Sequence, residues 1–158
     1  YWSGVARSDT PMMILNSGIN QSLVYWNKLE SDLSSAIKSK KTVKYGDENK
    51  LRQVVINLID NAKDAMVNSK QPKIDITIKN DKKNLFLEIL DNGKGIPKEI
   101  LSNIFEPYVT SKTHGTGLGL AIVMKIIDEH NGNISIKNNQ TIGAKVIIKL
   151  PMVENEKS

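Results

Sequence analysis

The chain has 158 residues, of which 39% are hydrophobic and 25% charged, enough for one soluble domain with a core of its own. It has no cysteine, which excludes disulfides, thiolate catalysis and cysteine-ligated zinc sites. No apolar run approaches the roughly 18 residues of a membrane span. The start has neither an initiator Met nor a signal-peptide pattern, so an excised fragment is expected. The net charge of +5 comes from scattered lysines with few aromatic residues, so no nucleic acid partner is expected.

The first 45 residues are expected to form a segment ahead of the main domain. Between Ile19 and Ile37 apolar residues recur at spacings of three and four, which predicts an amphipathic helix over residues 19–38. A short strand is predicted over residues 42–45.

Residues 46–151 carry the pattern of a single α/β domain, and residues 152–158 form a polar tail. Asp47 is expected to cap a helix that ends near Asn68. A further helix is predicted over residues 118–129. Strands are predicted over residues 74–79, 85–91, 133–137 and 145–150. Together with the strand over 42–45, these elements predict a two-layer α/β sandwich, with helices packed on one face of a mixed five-stranded sheet.

A long loop interrupts this pattern between the second and third strands of the domain. It runs over residues 92–115, roughly 24 residues with only a short helical turn predicted around 99–103. Loops of this length inside a compact domain are commonly functional, so a site is expected here.

The helix that follows Asp47 carries a row of polar residues opposite its apolar face. Gln53, Asn57, Asn61 and Asp64 are spaced by four, four and three, so they share one face. Such oxygens can accept from water, contact phosphate or bind Mg²⁺, which prefers oxygen ligands. A plain solvated face is the alternative, but asparagine is a poor helix former, so two of them favour a role.

A second motif is the run from Asp91 to Pro97 at the end of an apolar strand. The carboxylate of Asp91 can accept a hydrogen bond from an amine such as the exocyclic amine of adenine. Gly93 and Gly95 would let the backbone approach a flat ring closely. A simple hairpin turn is the alternative, although the second glycine and Pro97 make it less apt.

A third motif is the glycine run Gly115, Gly117 and Gly119, which leads straight into a helix. Backbone N–H groups at a helix N-terminus form a site for phosphate. The spacing is not that of a dinucleotide-binding loop, and no P-loop is present. A glycine-rich hinge is the alternative.

These motifs, together with residues 104–107, resemble in order the N, G1, F and G2 boxes of sensor histidine kinases. The N box resemblance lies at residues 57–62, and the stretch from Gly143 to Pro151 is similar to the closing strand of the family. The resemblance covers about two thirds of the chain and implies the Bergerat fold of the GHKL ATPases. The pattern from Asn61 to Ala65 and that from Phe105 to Lys112 resemble the nitrogen-regulatory branch.

The resemblance implies a role for each motif residue. Asn61 is the expected Mg²⁺ ligand, Asn57 and Lys112 are the expected catalytic residues, and Phe105 is expected to anchor the lid. Lys112 is either a contact of the γ-phosphate or a free lid lysine. The expected contacts of ATP are Asn57, Asn61, Asp64, Asp91, Gly93, Gly95, Ile96, Phe105, Lys112, Gly115, Thr116, Gly117, Leu118 and Gly119.

One motif position bears on the reaction. In the hydrolysing relatives, a glutamate four residues before the Mg²⁺-binding asparagine polarises the attacking water. Asn57 stands there in this chain, and a neutral amide cannot serve as a general base. Phosphoryl transfer needs mostly positioning and charge neutralisation, so this favours transfer over hydrolysis. The resemblance thus implies a protein histidine kinase that transfers the γ-phosphoryl of ATP to a histidine.

The acceptor histidine is expected to lie on another segment. His114 and His130 are the only two histidines, and neither begins the pattern of a phosphoacceptor helix. His114 is expected to be a solvent-facing lid residue, and His130 a partner of the dipole at a helix C-terminus. The implied partners are the histidine-containing dimerisation domain of the parent kinase and a response regulator receiver domain. The implied location is cytoplasmic, with a parent that is either free or anchored in a membrane.

Departures from the family pattern keep two alternatives open. The segment before Gly46 is short, so an edge strand is missing or rerouted, and Ala144 and Lys145 stand where the family commonly has two threonines. The lid over residues 109–114 is also short. A stand-alone GHKL ATPase or anti-sigma-type serine kinase is one alternative, and a nucleotide-binding module without transfer is the other.

Overall fold

The computed structural model of the chain describes residues 12–15, 47–81 and 83–152. The strands are β1 (Met12–Leu15), β2 (Lys73–Asn80), β3 (Asn84–Asp91), β4 (Asn133–Asn138) and β5 (Ala144–Pro151). The helices are α1 (Glu48–Ala65), α2 (Lys98–Leu101) and α3 (Gly119–Glu129). The helix expected over residues 19–38 and the strand expected over 42–45 lie outside the described residues. In the described part of the chain, no helix is both long and apolar enough to cross a membrane.

The described strands form one sheet in the order β1-β2-β3-β5-β4, and every pair of neighbours is antiparallel. The expectation of a mixed sheet is therefore wrong for these strands. The chain crosses over through α3 between β3 and β4, which makes those two strands run the same way. They are not neighbours, because β5 turns back from β4 and inserts between them.

Four of the five strands expected from the sequence are present, as β2 to β5. The fifth strand of the observed sheet is β1, which pairs with β2 along Met12–Leu15, where the sequence shows only weak patterning. The sheet therefore gains an edge strand from a part of the chain that the sequence analysis left unassigned.

The core lies between one face of the sheet and the helices α1 and α3. Side chains of β3 alternate between half-buried and buried along the strand, so one face of the sheet is apolar and covered. The main members of the core are Leu51, Val54, Val55, Leu58, Ile59, Ala62, Met66, Ile74, Ile76, Ile78, Leu85, Leu87, Ile89, Val123, Ile126, Ile127, Ile134, Ile148 and Leu150. This two-layer arrangement holds both long helices on the same side of the sheet.

The start of α1 is joined to the end of α3 by a buried histidine. The carboxylate of Asp47 caps α1 by accepting from the N–H groups of Asn49 (3.0 Å) and Lys50 (3.2 Å), as the sequence predicts. The backbone N–H of Asp47 donates to Nε2 of His130 at 3.0 Å, while Nδ1 of that ring lies 2.7 Å from the carbonyl oxygen of Ile126. In this arrangement Nε2 accepts and Nδ1 donates, so both ring nitrogens have a backbone partner. His130 lies at the C-terminus of α3, where its ring contacts a carbonyl of the last turn and links it to the start of α1.

Candidate active site

A cavity of about 730 Å³ lies between the C-terminal half of α1, the end of β3 and the loop that leads to α3. This volume is in the range of small-molecule binding sites. Its apolar wall is formed by Leu58, Ala62, Ile89, Ile100, Ile104, Leu120, Ile136, Ala144 and Val146. The polar groups of the cavity fall into two sets, one around Asp91 and one around Asn61.

Asp91 is the buried carboxylate of the site, with 7% of its surface exposed. Its Oδ1 accepts from the backbone N–H groups of Gly93 at 2.8 Å and Ala144 at 3.3 Å. Among the described residues, none donates to Oδ2, so that oxygen is left for a ligand. Burial raises the pKa of Asp91, and the two backbone hydrogen bonds oppose that rise.

Gly143 brings the start of β5 against Asp91. Its φ is +85°, and a Cβ there would lie 1.8 Å from the carbonyl oxygen of Asp91. Only glycine permits this approach, which places the N–H of Ala144 within reach of Oδ1. Sequence reasoning noted Gly143 as part of a motif but missed this contact, because its partner lies in another strand.

The loop after Asp91 is held from both sides. A Cβ on Gly93 would lie 2.6 Å from the carbonyl oxygen of Ala65, which also accepts from the N–H of Lys94 at 3.1 Å. Asn138 holds the other side: its Oδ1 accepts from the N–H of Ile96 at 2.7 Å, and its Nδ2 donates to the oxygen of Ile96 at 2.8 Å. Sequence reasoning missed Asn138, since an asparagine at a strand end reads as an ordinary turn residue.

The second polar set joins α1 to the loop that precedes α3. Nζ of Lys112 donates to Oδ2 of Asp64 at 2.6 Å and to Oδ1 of Asn61 at 3.0 Å. All three side chains line the cavity. An ammonium thus lies on the amide oxygen that was expected to bind a metal ion.

The lid expected over residues 109–114 extends to Thr116 in the structure, where its base is closed by the backbone N–H of Tyr108, which donates to the oxygen of Gly117 at 2.9 Å. Gly117 has a φ of +70°, and a Cβ there would lie 2.5 Å from the carbonyl carbon of Tyr108. Within the lid, Thr110 Oγ1 accepts from the N–H of Lys112 at 3.0 Å, and Gly115 donates to the oxygen of Lys112 at 3.3 Å. These bonds present Lys112 to the face of α1.

The cavity brings together most of the residues that were expected to contact a nucleotide. Those that line it are Asn61, Asp64, Asp91, Gly95, Ile96, Lys112, Gly115, Thr116, Gly117 and Gly119. Four do not line it. Gly93 packs on the end of α1, Phe105 packs against the core, and the N–H of Leu118 donates to Thr116 Oγ1 at 3.3 Å. Asn57 donates through Nδ2 to the oxygen of Gly119 at 3.3 Å.

Comparison with known proteins agrees with this fold. Residues 46–154 match the family described as histidine kinase-, DNA gyrase B-, and HSP90-like ATPase. The chain belongs to this family, and within it to the ATP-binding catalytic domains of sensor histidine kinases.

Individual relatives point to the same class of protein. An NtrY-like sensor histidine kinase of Rickettsia bellii is 38% identical over 108 residues, which are 68% of this chain and 18% of that protein. Sporulation kinase B of Bacillus subtilis is 41% identical over 107 residues, which are 68% of this chain and 25% of that kinase. The solved catalytic domain of histidine kinase ThkA has a TM-score of 0.58 and 35% identity, covering 67% of this chain and 68% of that one. The chain thus spans a quarter or less of these two curated relatives.

Proposed function

We propose that residues 46–151 bind Mg²⁺-ATP and donate its γ-phosphoryl group to a histidine on the dimerisation domain of a parent kinase. A response regulator receiver domain would then take the phosphoryl group from that histidine. The observation that carries the proposal is the cavity itself, which combines a buried carboxylate, an amide oxygen facing a cation and a glycine-rich helix start. Around Asp91 lies the base end of the cavity, and around Asn61 and the start of α3 lies its phosphate end.

At the base end, Asp91 presents beside an apolar wall its Oδ2, which accepts from no described residue. An exocyclic amine can donate to this oxygen, while Ile89 and Val146 supply apolar surface for a planar ring. Gly95, with a φ of +75°, and Ile96 lie in the loop that borders the same space. This set supports recognition of adenine.

At the phosphate end, α3 presents free backbone donors. The first hydrogen bond of this helix runs from the N–H of Ile122 to the oxygen of Leu118 at 2.9 Å. Among the described residues, the N–H groups of residues 119–121 have no acceptor, as expected for the first turn of a helix. Such a helix start favours an anion, and here it borders the cavity.

The residues beside this helix start fit a divalent cation. Asn61 Oδ1 already accepts from an ammonium, so it is an oxygen directed at positive charge. Oxygen is the ligand type that Mg²⁺ prefers, and Asn61 would hold the ion. When bound, Mg²⁺ would neutralise negative charge on the phosphates.

The side chains near the phosphate end support transfer over hydrolysis. The amide of Asn57 is engaged with Gly119 and cannot take a proton from water. The carboxylate of Asp64 is paired with Lys112. His130 is buried with both ring nitrogens in hydrogen bonds, which does not suit a phosphoryl acceptor. His114 lies exposed in the lid, and its sequence context does not begin the pattern of a phosphoacceptor helix. The acceptor would therefore come from another segment.

Binding is tested by calorimetric titration of the wild type with Mg²⁺-ATP, beside Asp91→Asn and Asn61→Asp. We expect micromolar to millimolar binding by the wild type and at least about a tenfold loss in Asp91→Asn, the size of one charge-assisted hydrogen bond. Asp60→Asn is the matched control, because Asp60 is exposed on α1 and does not line the cavity. Wild-type affinity in Asp91→Asn would contradict the site assignment.

Transfer is tested with radiolabelled ATP and a separately produced dimerisation segment from the parent kinase. We expect label on that segment and none when its histidine is replaced by alanine. Label on a serine of a protein partner would point to the serine kinase alternative. Release of phosphate without a labelled protein would point to an ATPase, and binding without either would point to a regulatory module.

A further inference from the structure

Lys112 occupies the centre of the polar set at the phosphate end. Its ammonium contacts two oxygens of α1, Oδ2 of Asp64 at 2.6 Å and Oδ1 of Asn61 at 3.0 Å. Asp64 and Asn61 are three positions apart, so both side chains project from the same face of the helix. One cation therefore bridges two neighbouring oxygens of the helix.

The backbone of the lid forms a tight turn that directs the Lys112 side chain toward α1. Thr110 and Gly115 both hydrogen bond the backbone of Lys112, and a Cβ on Gly115 would lie 2.8 Å from the Cβ of Lys112. The turn is thus folded tightly around this one residue. Its side chain makes the hydrogen bonds by which the lid reaches α1 in the described part of the chain.

The same oxygen cannot serve this ammonium and a metal ion together. Two cations on Asn61 Oδ1 would lie within a few ångströms of each other and repel strongly. An incoming metal ion must therefore displace Lys112. Phosphate oxygens of a nucleotide in the cavity would offer the ammonium a new anionic partner in place of Asp64.

We propose that Asp64 and Lys112 form a latch, which holds the lid across the nucleotide-free site with the ammonium on the Asn61 oxygen. Binding of Mg²⁺ and a triphosphate opens the latch, and Lys112 exchanges the carboxylate for phosphate. This inference rests on the proposed function of the same cavity. Asp64 is then a positioning residue that opposes nucleotide binding. Lys112 opposes binding while it is paired with Asp64, and it favours binding once its ammonium contacts phosphate.

The first test uses the nucleotide-free protein and does not depend on ATP binding. Hydrogen exchange of the lid amides is compared in the wild type, Asp64→Asn, Lys112→Met and the double variant. We expect each single variant to speed exchange by about two- to fivefold, the range that exposed ion pairs support, and the double variant to add nothing further. Unchanged exchange in both single variants would overturn the latch.

The second test is calorimetry with Mg²⁺ and AMP-PNP, a triphosphate analogue that is not transferred. Asp64→Asn should tighten binding by about two- to fivefold in the wild-type background and by less in the Lys112→Met background. The difference isolates the latch from general charge repulsion, because Asp64 repels phosphate in both backgrounds. Asp60→Asn and Lys125→Met are the matched controls, since both residues are exposed, neither lines the cavity, and the two changes remove the same charges without touching the latch.

The outcomes separate the two proposals. Weaker binding in Asp64→Asn, or an equal gain in both backgrounds, would overturn the latch while leaving the ATP site intact. A wild type that binds no AMP-PNP would instead contradict the proposed function, and the exchange measurement would still decide the latch.

Discussion

The contact between Gly143 and Asp91 is the tightest backbone approach at the site, and its removal can be worked out from the structure. In Gly143→Ala, the new methyl group would lie 1.8 Å from the carbonyl oxygen of Asp91 and 2.6 Å from its carbonyl carbon. These are backbone atoms of a central strand, so neither can swing aside. The strand β5 must move away from β3 at this point.

The expected loss of stability has three parts. A left-handed conformation costs an alanine about 1–2 kcal/mol, and the backbone φ here is +85°. The hydrogen bond from the N–H of Ala144 to Asp91 Oδ1, 3.3 Å long, would be lost at a cost of about 1 kcal/mol. Strain from the displaced strand adds about 1–2 kcal/mol. The sum is about 3–5 kcal/mol of unfolding free energy.

Urea denaturation followed by far-ultraviolet circular dichroism measures this loss. Gly119→Ala is the matched control, because a Cβ there meets nothing within 4 Å and the residue begins a helix. We expect the control to lie within about 1 kcal/mol of the wild type, on the stabilising side. A Gly143→Ala variant that loses less than about 1 kcal/mol would refute the reasoning, because the backbone would then have relaxed freely.

Three further variants test other contacts of the structure. His130→Phe leaves the part-buried N–H of Asp47 without its partner and removes the side-chain donor to the carbonyl of Ile126, which keeps the backbone N–H of residue 130. Unfolding free energy in urea should therefore fall by about 1–2 kcal/mol; a loss below about 0.5 kcal/mol would contradict it. Burial raises the pKa of Asp91 above its ordinary 3.8, so the native state holds that proton more tightly than the unfolded chain. Relative to Asp91→Asn, the wild type should therefore gain stability as pH falls through the raised pKa toward 3.8, and parallel urea midpoints between pH 7 and 4 would count against this. Gly117→Ala strains the lid base, since φ there is +70°, and should weaken AMP-PNP binding by about fivefold to tenfold in calorimetry; unchanged affinity would show that the lid base yields.

Local signals in the sequence were sufficient for most of the helices and strands. The apolar periodicity of α1, its cap at Asp47 and the alternation in β2 and β3 all depend on residues close together in the chain. The same is true of the sequence motifs, whose order along the chain pointed to the family. Side-chain direction and capping act within one turn or one strand, so a sequence shows them directly.

Sheet pairing was beyond the reach of these local signals. The sequence predicts β4 and β5 as consecutive strands, but not that β5 inserts beside β3 and so makes every described pairing antiparallel. Nor does it show that Met12–Leu15 supplies the edge strand. Pairing depends on hydrogen bonds between strands far apart in the chain, which leave no periodic trace in either strand.

The site divides in the same way. The sequence by itself placed Asp91, Asn61 and the glycine run among the residues of interest, since each sits in a local pattern. Only the tertiary structure showed that Gly143 packs against the backbone of Asp91 and that Lys112 donates hydrogen bonds to Asn61 and Asp64. The hydrogen bonds of Lys112 to Asn61 and Asp64, and that of Ala144 to Asp91, join residues that are 48 to 53 positions apart in the chain. They exist because the packed core brings α1, β3, the lid and β5 to one end of the sheet, and that packing is decided by the whole chain.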